Sequence, residues 1–215
     1  MIAARSLVAV ATLSLLATAG CRRAGDIDPT GGITAVRSVC PSVGVPAATG
    51  DITLFAPENA RTADAIDVTA LITNVRSTCN DAGDPIVAQI TFDIRAQRTR
   101  TDAAREVVLP YFSVVTQGGN AIIAKRVSRA SVRFEAGQAR AQTTATATAY
   151  VTRAAATLPQ DIRNQITRPR KAGDQDAAVD PLANPEVRQA VLRASFEALV
   201  GFQLTDEQLK YNVTR

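Results

Sequence analysis

The sequence contains no histidine among its 215 residues. This absence excludes a Ser-His-Asp triad, a Cys-His pair and a His-ligated zinc site, and it removes the commonest general base near pH 7. The nucleophile motifs G-x-S-x-G and S-x-x-K and a phosphate-binding glycine loop are missing as well. Tryptophan is absent and aromatic residues make up only 4% of the chain, so the core must consist of Val, Ile, Leu and Ala. We therefore expect a globular protein that is not an enzyme and has no cofactor.

Metal ligands are also scarce. Asp174, Asp176 and Asp180 form an acidic segment like those in calcium loops. The segment lacks the central turn glycine, however, and Pro185 stands where a bidentate glutamate would close an EF-hand. The sequence therefore predicts no dedicated metal site.

Residues 1–20 have the pattern of a secretory signal peptide. Arg5 supplies the positive charge, residues 7–17 are apolar, and small residues lead to Cys21, while the apolar run is too short to span a membrane. The end of this segment, Ala19-Gly20-Cys21, resembles the lipobox of bacterial lipoproteins, in which a diacylglyceryl group is joined to the cysteine thiol before cleavage. Thr18 departs from that pattern, because the family usually has Leu three places before the cysteine. The alternative is ordinary export, with Cys21 left as a free thiol.

The lipobox resemblance implies an address in a Gram-negative cell envelope. Cys21 would be the first mature residue and would carry the lipid anchor. Many such bacteria retain lipoproteins in the inner membrane when Asp follows the cysteine, but here Arg22 follows it. The resemblance thus implies the periplasmic face of the outer membrane. Residues 21–32 combine this cysteine with a Gly- and Pro-containing tether, whose eleven residues 22–32 reach at most about 38 Å.

The two other cysteines, Cys40 and Cys79, are an even number in an oxidising compartment and predict a disulfide. They end two similar segments, 33–40 and 72–79, which we interpret as strands that end at comparable places and lie side by side. A redox or metal role is the alternative, but no C-x-x-C spacing supports it.

Alternating apolar and polar residues dominate the chain after residue 33 and predict strands. The clearest alternation runs from Ile86 to Ala96, where every second residue is apolar. In the Ala- and Thr-rich segment 139–151 the period of two also favours a strand over a helix. The predicted strands are 35–39, 51–55, 66–73, 86–96, 106–116, 121–127, 131–134 and 139–151. Pro110 restricts its strand to a sheet edge or a bulge.

Helical signals follow the strands. Thr157 and Gln160 predict a capping box for a helix to residue 167, and Asn184-Pro185 predicts the start of a helix that ends near Gly201. Thr205 with Gln208 predicts a third helix start. The expected fold is mainly β: an antiparallel β-sandwich, immunoglobulin-like in outline, over residues 33–152, with a helical C-terminal region over 153–215 that packs on it.

Two sets of residues are candidate binding surfaces. Between residues 95 and 140 the chain has nine basic and three acidic groups, and Arg suits phosphate or carboxylate partners. The anionic-ligand candidates are Arg95, Arg98, Arg100, Lys125, Arg126 and Arg129. The alternative is a solvated face of the sheet, and nucleic acid is not expected as a partner of an exported protein.

The second set lies in the predicted helix 185–201. That helix has two apolar stripes, and a helix that lies on a sandwich buries only one of them. Leu192, Phe196 and Leu199 belong to the other stripe and are candidates for docking a protein partner. The alternative is that residues 202–209 fold back and cover them.

These features predict a non-catalytic, membrane-anchored envelope lipoprotein. It would act as a protein-interaction, assembly or structural module in the periplasm, held near its partner by the acyl chains at Cys21. The alternative function is a binding module for an anionic lipid or glycolipid, which the basic strand face would contact.

Overall fold

A computed structural model of the chain describes residues 38–168, 173–175 and 179–214. The predicted signal peptide, Cys21 and the tether lie outside the described residues. The chain divides into two compact units, of which the larger consists of residues 37–163 and 180–215. The smaller unit, residues 1–36 and 164–179, is described only at 164–168, 173–175 and 179.

Eight strands in the described residues form two four-stranded sheets, so the prediction of a mainly β, sandwich-like fold is confirmed. The first sheet has the order β1-β8-β5-β6 and the second the order β2-β3-β4-β7. All pairs are antiparallel except β1 with β8, which is parallel. The strands are β1 (Ser42–Gly44), β2 (Asp51–Phe55), β3 (Ile66–Asn80), β4 (Ile86–Arg98), β5 (Arg105–Gln117), β6 (Ala121–Phe134), β7 (Arg140–Val151) and β8 (Phe196–Phe202).

Four α-helices lie in the described C-terminal part of the chain: α1 (Arg153–Ala156), α2 (Gln160–Thr167), α3 (Pro185–Arg193) and α4 (Asp206–Thr214). Asn184 caps α3, because its Oδ1 accepts from the Glu186 N–H at 2.9 Å. The capping box before α4 is formed on both sides: Gln208 Oε1 accepts from the Thr205 N–H at 2.9 Å, and Thr205 Oγ1 accepts from the Gln208 N–H at 3.2 Å. The predicted helix starts at Asn184 and Thr205 are confirmed, and α2 ends at Thr167 as predicted, with Gln160 as its first residue.

The core lies between the two sheets. The predicted inward face of β4 is confirmed, since its Ile, Ala and Phe residues at even positions from 86 to 96 are all buried. Phe92 of β4 meets Tyr111 of β5 edge to face, with ring centroids 5.3 Å apart. The Tyr111 hydroxyl donates to the Thr146 carbonyl of β7 at 2.9 Å. Tyr111 therefore joins the two sheets by an aromatic contact and a satisfied buried hydroxyl.

The prediction of a helix from 185 to about 201 is wrong. Helix α3 ends at Arg193, and β8 pairs with β5 from Phe196 onward. Every second residue of β8 is buried in the core: Phe196, Ala198, Val200 and Phe202. A short apolar run fits both the helical and the strand period. Residues 196–202 form a strand because β5 supplies hydrogen-bond partners for their backbone. The sandwich therefore includes residues 196–202 and does not end at 152.

Three smaller expectations also change. Of the predicted strand 35–39, residues 35–37 lie outside the described residues, residues 38 and 39 form no strand, and β1 begins only at Ser42. The predicted strands 121–127 and 131–134 are one continuous strand, β6. Pro110 lies in β5, an interior strand, but its pairing with β8 begins only at Tyr111, and the Gln203 N–H donates to its carbonyl at 2.9 Å. The missing proline N–H thus falls at the end of a ladder, where it costs least.

Candidate functional site

The predicted disulfide is confirmed. Cys40 and Cys79 are bonded, with 6.2 Å between their Cα atoms. The interpretation of two strand ends lying side by side is wrong, because Cys40 lies in a bend ahead of β1 while Cys79 lies within β3. Since β1 and β3 belong to different sheets, the disulfide connects the chain segment entering the first sheet to the second sheet.

The six predicted anionic-ligand residues do not form one surface. Arg95 lies on β4 in the second sheet, and Arg98 and Arg100 lie at and just beyond the end of that strand. Lys125, Arg126 and Arg129 lie on β6 at the edge of the first sheet. These basic residues are close together in the sequence, but the fold divides them between the two sheets of the sandwich.

Arg98 is a structural residue, and its prediction as a ligand contact is wrong. The residue is only 4% exposed. Its guanidinium donates to four backbone carbonyls, those of Thr101 at 3.3 Å, Ala103 at 2.6 Å, Glu135 at 2.8 Å and Gln138 at 2.9 Å. It also lies over the Phe134 ring, 5.1 Å from the centroid. These contacts join the β4–β5 loop to the β6–β7 loop and leave no free donor face for a ligand.

Arg100 takes part in an ion-pair cluster around buried Asp67 of β3. Arg105 binds both carboxylate oxygens of Asp67, at 2.9 and 2.8 Å, and Arg100 approaches Oδ1 at 3.4 Å. The hydrogen bonds from Arg105 hold the pKa of the Asp67 carboxyl below its ordinary value, against the opposite effect of burial. The cluster ties β3 to the start of β5 and satisfies the charge of a buried acid.

We expect Asp67→Asn to lower the free energy of unfolding by about 2 kcal/mol at pH 7, because two guanidinium groups lose their anionic partner. Since the folded pKa is lowered, this stabilisation is fully present above the unfolded carboxyl pKa of about 3.9 and is lost as pH falls through the folded value. Urea denaturation between pH 7 and 2.5 measures it, with exposed Asp102→Asn as the control. A difference from wild type that stays constant down to the lowest pH would contradict this origin.

The first half of β6 is exposed on both faces. Every residue from 121 to 129 is exposed, among them the aliphatic residues Ile122, at 67%, Ile123 and Val127. Among the described residues β6 pairs only with β5, so the outward backbone edge of this half has no strand beside it. We define the hairpin surface as Ile122, Ile123, Lys125, Arg126, Val127 and Arg129.

Two of the three basic residues of the hairpin surface lie over aromatic rings. Lys125 Nζ lies 5.0 Å from the centroid of Phe112, and the Arg126 guanidinium lies 5.9 Å from that of Tyr150, which is itself exposed. No carboxylate occurs anywhere in the sequence of β6, and within the described residues none of the three cations forms a salt bridge. The surface is therefore cationic and apolar at once.

The three predicted docking residues do not share a face. Leu192 is exposed near the C-terminal end of α3, Phe196 is buried in the core, and Leu199 is half-buried in β8, where it pairs with Val114 of β5. The Gln117 side chain donates to the Arg193 carbonyl at 2.6 Å, and the Gly118 N–H donates to the Ser195 carbonyl at 3.0 Å. These bonds place exposed Leu192 beside the turn between β5 and β6, in a shallow depression that Ala121 also lines.

Sequence reasoning missed the aliphatic half of the hairpin surface. A signal was present, because Ala121-Ile-Ile-Ala-Lys-Arg-Val127 contains two adjacent isoleucines where a half-buried strand would alternate. Gly118, Gly119 and Asn120 form the turn from β5 to β6, and both glycines have positive φ, 64° and 85°.

Two further observations on the described part of the chain concern its metal-ligating side chains and its helices. Within it, no three His, Cys, Asp or Glu side chains are grouped so as to hold a metal ion. Likewise, none of its helices has the length and apolar character that a membrane span requires. Comparison with protein-family models, curated proteins and solved structures found no match. The argument for function therefore depends on the surfaces of the chain itself.

Proposed function

We propose that the protein is a non-catalytic, lipid-anchored interaction module of a Gram-negative cell envelope, located at the periplasmic face of the outer membrane. Acyl chains at Cys21 would hold the sandwich near the bilayer, and the tether would let it reach its binding partner. The observation that carries the proposal is the hairpin surface, where exposed aliphatic and cationic side chains occur together without acidic neighbours on β6.

The partner that this surface fits best is an anionic lipid layer. Each Lys or Arg near such a surface contributes about 1 kcal/mol, and buried aliphatic side chains add apolar contact. Ile122 and Ile123 lie next to the turn, at the end of the hairpin that can enter a headgroup layer first. A diacylglyceryl group at Cys21 already carries two acyl chains, and a basic patch would add electrostatic attraction to anionic lipids.

An envelope protein is the second candidate partner, and the unpaired outer edge of β6 favours it. An extended segment of another protein could add a strand there through backbone hydrogen bonds. A second copy of β6 is a poor partner for this edge, because antiparallel pairing would bring the basic residues of both copies together. An acidic extended segment would suit the charge.

Vesicle binding tests the proposal. The full chain with Cys21→Ser, which lacks the acylated thiol, is mixed with vesicles that contain phosphatidylglycerol and with purely zwitterionic vesicles. We expect binding only to the anionic vesicles, and we expect the triple variant Lys125→Glu/Arg126→Glu/Arg129→Glu to bind at least about tenfold more weakly. Raising salt from about 50 to about 500 mM should weaken wild-type binding, because the Debye length shortens.

A charge-matched control separates the hairpin surface from net charge. Arg76, Arg188 and Lys210 are exposed elsewhere in the described chain, so changing all three to Glu gives the same total charge. Equal losses of vesicle binding in both triple variants would contradict a specific surface. If the β6 variant keeps its vesicle binding but no longer co-purifies with an envelope protein that wild type binds, the second candidate is favoured.

In cells, labelled palmitate should be incorporated by the wild-type chain and not by Cys21→Ser, and labelling of both would contradict the anchor.

A further inference from the structure

A second surface lies on the outward face of the other sheet. It is an open trough of about 690 Å³ between residues of all four strands of that sheet. None of its residues belongs to the hairpin surface. The trough therefore has to be explained separately from the function proposed above.

The strand register shows how the trough is built. Its outward-facing residues form two rows across the sheet, Asp51-Leu71-Arg95-Gln142 and Thr53-Thr69-Gln97-Arg140. Irregularities flank these rows, and both add an extra residue to β3: one at Asp67, opposite Leu54 and Phe55 of β2, and one between Thr73 and Arg76. Bulges bend and twist a strand. The regular stretch between two such irregularities is where the sheet presents a hollow.

One half of the trough carries a compact pattern of polar groups. Arg95 pairs with Gln142 and Gln97 pairs with Arg140, so that two arginines and two glutamines alternate at the corners of a four-residue block. All four residues are exposed. Residues opposite or diagonal across neighbouring strands are close enough for one ligand to contact.

The charge of this block is positive. Among the described residues neither arginine forms a salt bridge with a carboxylate. Hydrogen bonds from the Asn74 amide at 2.8 Å and the Thr144 hydroxyl at 3.0 Å, with smaller contributions from the charges of Arg76 and Arg95, hold the pKa of Asp93, the neighbouring acid on β4, below its ordinary value. Asp51 is the acid of the trough itself, and it lies at the opposite end of its row, on β2.

We propose that the trough is a binding site for a carboxylated oligosaccharide. Two guanidinium forks suit carboxylates, which they can bind with paired hydrogen bonds. The two glutamine amides offer donors and acceptors for sugar hydroxyls, and Leu71, half of it exposed, offers apolar surface to a sugar ring. A lipid would need an apolar pocket for its acyl chains beside the headgroup site, and the polar block of arginines and glutamines does not provide one. A short chain of acidic sugars offers a carboxylate to each of the two arginines and hydroxyl groups to the two glutamines at the same end of the trough.

Calorimetric titration of the full chain with trigalacturonate tests this site, with neutral maltotriose as the comparison. We expect trigalacturonate to bind at least about tenfold more tightly than maltotriose. The double variant Arg95→Gln/Arg140→Gln should lose at least about tenfold in trigalacturonate affinity while its unfolding midpoint remains that of wild type. Gln97→Leu/Gln142→Leu should weaken trigalacturonate but leave the weak binding of acetate unchanged.

Matched controls keep this result independent of the hairpin surface. Lys125→Gln/Arg129→Gln removes the same charge from β6 and should bind trigalacturonate as wild type does. The trough is overturned as a site if both double variants lose affinity equally, if the Arg95 and Arg140 variant binds normally, or if wild type shows no binding up to about 10 mM. Failure here leaves the vesicle experiment unaffected, because the two surfaces share no residue.

Discussion

Replacing Arg98 with Met is expected to lower the free energy of unfolding by at least about 3 kcal/mol, a large part of the stability of an ordinary domain. Methionine keeps an unbranched apolar side chain about as long as the aliphatic part of arginine but removes every donor. Four backbone carbonyls in two loops then lose their hydrogen bonds, and the Phe134 ring loses its cation. Urea denaturation of the two proteins measures the difference.

Arg76→Met is the matched control for this prediction. Arg76 lies on β3 in the same sheet and is exposed, so its replacement should change the free energy of unfolding by no more than about 0.5 kcal/mol. Arg98→Lys should fall between the two, because an ammonium group donates fewer hydrogen bonds and lacks the planar fork. A loss below about 1 kcal/mol for Arg98→Met would show that the loops hold together without the guanidinium.

The position of Arg98 could have been inferred from parity along β4. The buried residues of this strand are at even positions from Ile86 to Ala96, and Arg98 continues that series. A strand that ends at residue 96, as predicted, leaves Arg98 in a loop with the other arginines. Only the two extra residues of β4 place its side chain on the inward face, and two of the four carbonyls that hold it come from a loop about 40 positions further along the chain.

Local patterns were sufficient for most of the fold. The caps at Asn184 and Thr205 involve residues within three positions of each other, and strands such as β4 alternate clearly. Strand β8 was missed because its run of seven residues follows a true helix and is too short for its period to be decisive. Its assignment depends on pairing with β5, 79 to 91 residues earlier, which no local window contains.

The binding surfaces depend even more on distant pairing. The basic residues of β6 could be identified from composition, but their exposure follows from the position of β6 at the edge of its sheet. The trough joins residues of β2, β3, β4 and β7, and its Arg and Gln block depends on a register that links positions about 45 residues apart. Composition predicted a preference for anions, whereas the location of each surface required the sheet order.

Removing the disulfide by Cys40→Ser/Cys79→Ser is expected to destabilise the protein by about 4 kcal/mol. The two cysteines are 39 positions apart, and in the chain-entropy model a closed loop of this length restricts the unfolded chain by that amount. The loop contains β1, β2 and most of β3, so it covers strands of both sheets. Without the bond, the unfolded state gains freedom over this whole region while the folded sheets keep their other contacts.

Urea denaturation of the double serine variant, in a Cys21→Ser background that prevents thiol exchange, measures this effect. Reduced protein with Cys40 and Cys79 intact should show the same loss, because reduction opens the same loop without changing the side chains' size. Equal losses of stability in the serine variant and in the reduced protein would show that the covalent bond itself is the source of the stabilisation. If the serine variant alone is destabilised, packing of the sulfur atoms accounts for the effect; if both lose less than about 1 kcal/mol, the sheets themselves hold the segment in place.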